Sequence, residues 1–206
     1  MNERVANHRH PKVDSHLPRK IFHLLAASII PTVYYFQLFS WQLSAALALA
    51  ATVIWAGADF YRLYHPAFNE FAIRVLGPVL KTRETAEVTS SSYILMASSF
   101  VIIFMEREIA CASLFFIALG DPVAAVVGKR FGRIRFKSGK SLEGTAAMFA
   151  VGLAVGLTLV KSLPVAVAGA LVAALAELYA FGLDDNLAVP IFSSLAMTIV
   201  HILLLA

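Results

Sequence analysis

The chain holds a single cysteine, Cys111, and only 15% of its 206 residues are charged, against about 25% in ordinary soluble proteins. One cysteine excludes an intramolecular disulfide framework and a cysteine-based zinc cluster. Its place in an apolar run marks it as a small packed residue. Scarce charge beside 59% hydrophobic residues excludes a water-soluble globule, a disordered chain and a nucleic-acid-binding domain. No stretch alternates apolar and polar residues with period two, which argues against an outer-membrane barrel. No internal repeat is visible, which argues against the repeat architecture of many transporters.

What the chain has in quantity is long apolar runs. Seven of them, at 21–39, 41–58, 90–105, 109–127, 145–160, 163–181 and 187–206, are long enough, or nearly so, to cross a hydrocarbon core that takes ~17–25 helical residues. They predict an all-α, polytopic membrane bundle of about seven transmembrane helices over 19–206, behind a polar tail at 1–18. Basic residues give the direction, because cytoplasmic loops carry the excess of Lys and Arg. Arg4, Arg9, Lys12, Arg19 and Lys20 precede the first run. Arg62, Arg74, Lys81 and Arg83 follow the second, and Lys129, Arg130, Arg133, Arg135, Lys137 and Lys140 follow the fourth. With a cytoplasmic N-terminus, all 17 basic residues except Arg107 and Lys161 fall on the cytoplasmic side. The net charge of +4 therefore reports topology, not affinity for nucleic acid. After the second run, Phe68, Phe71, Ala72, Val75, Leu76 and Val79 share one helical face. This predicts an amphipathic helix over 67–80, lying in the interface or closing on the bundle as a lid.

Ionisable residues at membrane spans are costly and point to function. In this topology Arg19, Lys20, His23, Asp59, Arg62, Glu87, Asp121, Lys140, Glu143, Glu177, Asp184 and Asp185 gather at cytoplasmic span ends. Snorkelling explains the long basic side chains. It does not explain Asp121 and Glu177, short-stemmed acids inside apolar runs. The richest stretch is 120–144, where Gly120-Asp121-Pro122 predicts a helix break that presents a carboxylate. The six basic residues there suit phosphate oxygens, and the glycines admit backbone N–H groups to them. Asp121 and Glu143 suit Mg²⁺, which takes one or two carboxylates together with substrate phosphates. Gly139-Lys140-Ser141 is not a P-loop, because the earlier glycine of that motif would fall at Ile134. Gly152 and Gly156 have the spacing of a helix-packing pair.

Taken in order, Arg19-Lys20-x-x-His23, Ala58-Asp59-x-x-Arg62, Glu87-x-Thr89, Gly120-Asp121-Pro122-x-Ala124-x-x-x-Gly128, Gly132-Arg133, Lys140-Ser141-Leu142-Glu143-Gly144, Ala176-Glu177 and Asp185-Asn186-x-x-Val189-Pro190 resemble the CTP-dependent lipid-alcohol kinases. That family includes dolichol, polyprenol and phytol kinases and the CTP-using diacylglycerol kinase. The resemblance implies transfer of the γ-phosphoryl group of CTP to a membrane lipid alcohol, with Mg²⁺, at the cytoplasmic face of a multi-pass protein in a prokaryotic cell membrane. It implies a nucleotide loop at 120–144, with Gly120, Gly128, Lys129, Gly132, Arg133, Lys140, Ser141 and Gly144 around the triphosphate and Arg19 and Lys20 reaching toward it. Asp121, Glu143 and Asp185 are the expected metal ligands, and Asn186 completes the shell or orients the alcohol. The general base stays open among Asp121, Asp59 and His23. Expected partners are CTP, the lipid alcohol and the bilayer, with no nucleic acid; a homo-oligomer is compatible with the sequence. Walls of Ala, Leu, Val and Phe do not discriminate a polyprenol, phytol or a diacylglycerol. One alternative is a phosphatidate cytidylyltransferase, but its His-Gly-Gly and Asp-Arg-x-Asp elements are absent. The other is an ion-coupled transporter, which would place its acids at mid-membrane.

Overall fold

A computed structural model gives the fold. The described residues are 16–77, 80, 82–136, 138–179 and 182–206, and the side chains of 16–23 and 82 are not among them. Every regular element among these residues is helical: α1 (His16–Tyr35), α2 (Trp41–Tyr64), α3 (Pro66–Leu76), α4 (Ser90–Phe104), α5 (Arg107–Phe115), α6 (Asp121–Phe131), α7 (Leu142–Leu159), α8 (Leu163–Tyr179) and α9 (Asp185–Leu205). A 3₁₀ turn, Thr82–Thr85, precedes α4, and a π turn, Phe116–Gly120, joins α5 to α6. Helix α1 begins inside the expected tail; the rest of that tail, 1–15, lies outside the described residues.

Among the described residues, four helices are long and apolar enough to cross a membrane: Trp41–Tyr64, Arg107–Phe131, Leu142–Leu159 and Asp185–Leu205. Leu24–Tyr35, Ser90–Phe104 and Leu163–Tyr179 are apolar but shorter. These seven helices sit at the seven apolar runs of the sequence.

The continuous helix Arg107–Phe131 is central, with 67% of its apolar window buried, against 22% for Trp41–Tyr64. Its π turn carries Phe116 into a core with Met148, Val165, Ala173, Val189 and Met197. On its other side Cys111 and Leu114 pack with Tyr34, Val101 and Ile102. Lipid tails are as apolar as leucine, so helices in a bilayer associate through close packing of small residues. That is how α7 meets α8. A Cβ added at Gly152 would stand 3.2 Å from Ala170 Cβ, and one at Gly156 would stand 2.9 Å from Ala166 Cβ. Many other large apolar side chains, such as Val53, Ile54 and Leu203, face outward.

Two local expectations are corrected. Gly120-Asp121-Pro122 does not break the helix. Proline lacks an N–H and crowds the carbonyl four residues back; the preceding π turn widens the helix there, so it runs on. The amphipathic helix is shorter than 67–80: α3 ends at Leu76. Gly77-Pro78 follows, and a proline at 78 has no N–H to extend the ladder. Val79, counted on its apolar face, lies outside the described residues.

Candidate functional site

The stretch after α6 is a tight hairpin. Arg135 and Ser141 form an antiparallel bridge, Phe136 N–H donates to Lys140 O at 2.8 Å, and Leu142 N–H donates to Ile134 O at 2.9 Å. Gly139 turns the corner at φ +82°, a conformation that a side chain disfavours. Ser141 then caps α7, its Oγ accepting from Gly144 N–H at 3.1 Å. Glu143 reaches back to the hairpin, where its Oε1 accepts from Arg133 N–H at 2.9 Å and Ile134 N–H at 3.4 Å. Gly128 and Gly144 let α6 and the start of α7 approach closely: an added Cβ would meet Ser141 Oγ at 2.8 Å from Gly128 and Ala124 O at 2.9 Å from Gly144. The Lys-Ser-Leu-Glu-Gly motif is thus a hairpin exit, a cap, a brace and a close contact, and it aims Lys140 across the bundle end.

There Lys140 Nζ lies 2.8 Å from Glu177 Oε1 on α8 and 3.4 Å from Asp185 Oδ2 on α9. It also donates to the Glu177 backbone carbonyl. Burial draws the ammonium toward its neutral form, but Glu177, then Asp185 and Asp121, outweigh this and hold its pKa above that of an ordinary lysine. These residues edge a cleft of about 290 Å³ lined by Asp121, Gly128, Lys129, Lys140, Ser141 and Glu177, among others. Glu177 Oε2 is buried and has no hydrogen-bond partner among the described residues.

The structure therefore brings Asp121, Gly128, Lys129, Lys140, Ser141 and Gly144 to one cleft, with Asp185 joined through Lys140. Gly120 is buried against Met148, and Gly132 stands beside Ser141. Arg133 is exposed and meets Glu143 through its backbone. Asn186 Nδ2 donates to Asp184 Oδ1 at 2.6 Å and Asp185 Oδ1 at 3.3 Å, organising the α9 N-terminus. The side chains of Arg19, Lys20 and His23, and all of Lys137, lie outside the described residues. Glu177 was missing from the expected site. Its signal was an acid inside an apolar run.

Asp59 and Arg62 form a different assembly. Asp59 Oδ1 accepts from Arg62 Nε at 2.5 Å, and its Oδ2 accepts from Thr89 N at 2.6 Å, Thr89 Oγ1 at 2.9 Å and Ser92 Oγ at 2.6 Å. Arg62 also donates to Asn69 Oδ1 at 2.9 Å and Glu87 O at 2.5 Å. This buried clasp joins α2, α3 and the start of α4, and its acceptors are committed to structural bonds. Beside it an apolar hollow of about 230 Å³ runs between α2 and α3, lined by Trp55, Phe68, Phe71 and Val75 among others. Arg83 Nη2 to Asp184 Oδ2 at 2.5 Å connects the 3₁₀ turn of this region to α9 and so to the cleft.

The described chain is helical, with four helices long and apolar enough to cross a membrane and a cleft lined by lysines and carboxylates at one end. No family model matches the chain, and no solved structure matches it. Curated relatives do match. CTP-dependent diacylglycerol kinase 1 of Saccharomyces cerevisiae is 26% identical, across 89% of this chain and 73% of the yeast protein. The protein of the same name from Eremothecium gossypii is 32% identical, across 46% of this chain and 31% of its own length. That from Schizosaccharomyces pombe is 26% identical, across 66% and 71%. All three are kinases by name, and they support placement of the chain among the CTP-dependent lipid kinases.

Proposed function

We propose that this protein transfers the γ-phosphoryl group of CTP to the hydroxyl of a membrane lipid alcohol, with diacylglycerol the first candidate. The observation that carries this reading is the likeness to a CTP-dependent diacylglycerol kinase across 89% of the chain, which includes every cleft residue. Phosphoryl transfer asks for positioning and charge neutralisation more than covalent chemistry. Lys129 and Lys140 are assigned to the triphosphate, and Asp121 to the divalent cation. Among the described residues no three or more His, Cys, Asp or Glu side chains form a metal cluster. Mg²⁺ on a nucleotide does not need one, since phosphates and water fill most of its shell, so Asp121 with a second carboxylate fits it. When bound, the ion neutralises charge on the transferring phosphate. Glu143 already accepts two backbone N–H groups and is assigned the brace of the hairpin; Asp185 reaches the cleft through Lys140. The apolar hollow between α2 and α3 suits a hydrocarbon tail.

We further propose seven crossings, counting the three shorter apolar helices with the four long ones, and a cytoplasmic N-terminus and cleft. The distribution of basic residues supports that orientation. The deciding experiment supplies purified protein with diacylglycerol, polyprenol and phytol and with CTP labelled at either phosphorus. Label from the γ position enters the lipid and α-label stays in soluble CDP. Entry of α-label into lipid with release of pyrophosphate establishes cytidylyl transfer instead.

A further inference from the structure

We infer that the hollow between α2 and α3 seats the substrate's hydrocarbon tail: a diacylglycerol enters it sideways from the bilayer and leaves its hydroxyl end on the side of the cleft. The inference rests on the lipid-kinase reading. The hollow is built into the helix pair. Ala58 on α2 and Ala72 on α3 line it, so methyl groups stand where larger side chains would fill the space. Nor is α3 free to lean in and close the room, because its polar edge is pinned. Asn69 Oδ1 accepts from Arg62 Nη1 at 2.9 Å, and Asn69 Nδ2 donates to Thr85 O at 2.9 Å. The corner between the helices is fixed as well: the Tyr61 ring stacks on His65 at 4.0 Å between centroids and meets Phe68 edge-on at 5.4 Å.

The floor of the hollow decides what it takes. Asp59, Arg62 and Thr89 line it, and their polar atoms are spent on one another and on neighbouring segments. Both Asp59 oxygens accept, all three guanidinium nitrogens of Arg62 donate, and Trp55 Nε1 donates to Thr89 Oγ1 at 3.4 Å. A polar guest would lose its hydration there without return, so the guest is apolar. The surroundings supply one kind. Helix α2 is long and apolar enough to cross a membrane, and the wall residues Trp55, Phe71 and Val75 are 39%, 57% and 58% exposed. The hollow therefore opens beside a span whose solvent is hydrocarbon. It also lies next to the cleft. Leu80 lines it, and Arg83, three residues on and so within about 11 Å along the chain, pairs with Asp184 at 2.5 Å. Asp185 follows and pairs with Lys140 at 3.4 Å. A tail in the hollow thus leaves the polar end of its lipid at the end of the bundle that holds the cleft.

Trp55 in the wall reports occupancy without turnover. The chain has two tryptophans, so Trp41→Phe leaves Trp55 alone. Full-length protein in phosphatidylcholine nanodiscs is titrated with diacylglycerol brominated in its tails, and in parallel with phosphatidylcholine brominated alike. Brominated diacylglycerol quenches Trp55 saturably, whereas brominated phosphatidylcholine at the same mole fractions quenches weakly and without saturation. Ala58→Phe fills the hollow and raises the half-quenching mole fraction of diacylglycerol at least about fivefold. Val53→Phe, on the same helix but outside the hollow, leaves it unchanged. If Ala58→Phe is recovered unfolded, Val75→Phe carries the same comparison. Equal quenching by the two lipids means that bulk lipid alone bathes the hollow, and absence of quenching by either means that protein fills it; each overturns the inference, as does saturable quenching that survives the filled variants. Label transfer from CTP is scored separately. Saturable quenching without transfer fails the kinase reading alone, and transfer without saturable quenching fails the tail site alone.

Discussion

Arg62→Met separates a structural from a catalytic reading of the second polar cluster. Arg62 is 4% exposed and binds three acceptors, Asp59 Oδ1, Asn69 Oδ1 and Glu87 O, on three segments. Truncation leaves Asp59 buried without its counter-ion. Breaking one side of a buried pair costs about 3–5 kcal/mol. Asp59 keeps three other donors, from Thr89 and Ser92, which places the loss near the lower end, about 3 kcal/mol. For a chain of this size that corresponds to a melting point lower by roughly 6–12 °C. Asp59→Asn alone is milder, because an amide still accepts from Thr89 or Ser92. The double variant loses less than the two singles together, by about 1–3 kcal/mol of coupling. Melting is followed by size-exclusion chromatography of detergent-solubilised protein, and CTP binding is measured on the folded fraction at low temperature. The clasp reading requires lowered melting with retained CTP binding. An Arg62→Met protein that melts like wild type and no longer binds CTP would put Arg62 in the nucleotide site and refute it.

Asp121→Asn should abolish γ-label transfer, while its melting point stays within a few degrees of wild type; near-normal transfer with Mg²⁺ would remove Asp121 from the cation site. Gly144→Ala places a methyl group 2.9 Å from Ala124 O and 3.4 Å from Gly128 Cα, so α6 and α7 must part, at about 1–3 kcal/mol, read as lower melting and weaker CTP binding. The pKa of Lys140 is raised by its carboxylates, so its stabilising charge is complete below the ordinary lysine value, about 10.4, and is lost only as pH rises through the raised value. The melting difference between wild type and Lys140→Met should therefore hold steady from about pH 7 to 9 and shrink only in stronger alkali.

Apolar run length was enough to place the helices, because membrane-length hydrophobic segments form helices whatever they pack against. The densest motif cluster also located the cleft: Gly128-Lys129, Lys140-Ser141 and Gly144 meet there through short-range geometry, a hairpin and a cap that local residue types dictate. Partnerships across the bundle were not legible. Lys140 and Glu177 are 37 residues apart, and nothing in an apolar run tells which way its one acid faces. Glu143 was expected to hold metal, and Glu177 stood out only as an acid inside an apolar run. Only the fold turns the first to the Arg133 and Ile134 amides and the second to Lys140. Asp59 looked like a free acid for the same reason, since its donors Thr89 and Ser92 lie 30 and 33 residues away. Gly120-Asp121-Pro122 misled because turn chemistry reads such a tripeptide as a break, whereas one wide turn lets a buried helix keep going.

The backbone at the cleft gives Lys140 a second role beside its ion pairs. Helix α8 ends at Tyr179, so the Glu177 carbonyl belongs to its last turn, where carbonyls lack intrahelical donors. Lys140 supplies one, capping α8 while it neutralises the Glu177 carboxylate. The N-termini of α7 and α9 meet this C-terminus at the same end of the bundle, bringing the positive poles of their dipoles with Ser141 and Asp185. Asp184 Oδ1 accepts from Asn186 N–H at 3.0 Å, and Oδ2 takes Arg83, so the turn before α9 is held from both sides. The Arg83 side chain is 53% exposed, and an ion pair in that setting adds little stability. Its effect is positional: it ties the 3₁₀ turn, and through Glu84 and Ser90 the start of α4, to the helix that presents Asp185. The flexible, single-point charge of lysine serves one carbonyl and two carboxylates from a single atom, whereas the Arg62 guanidinium is fixed by three bonds in the clasp.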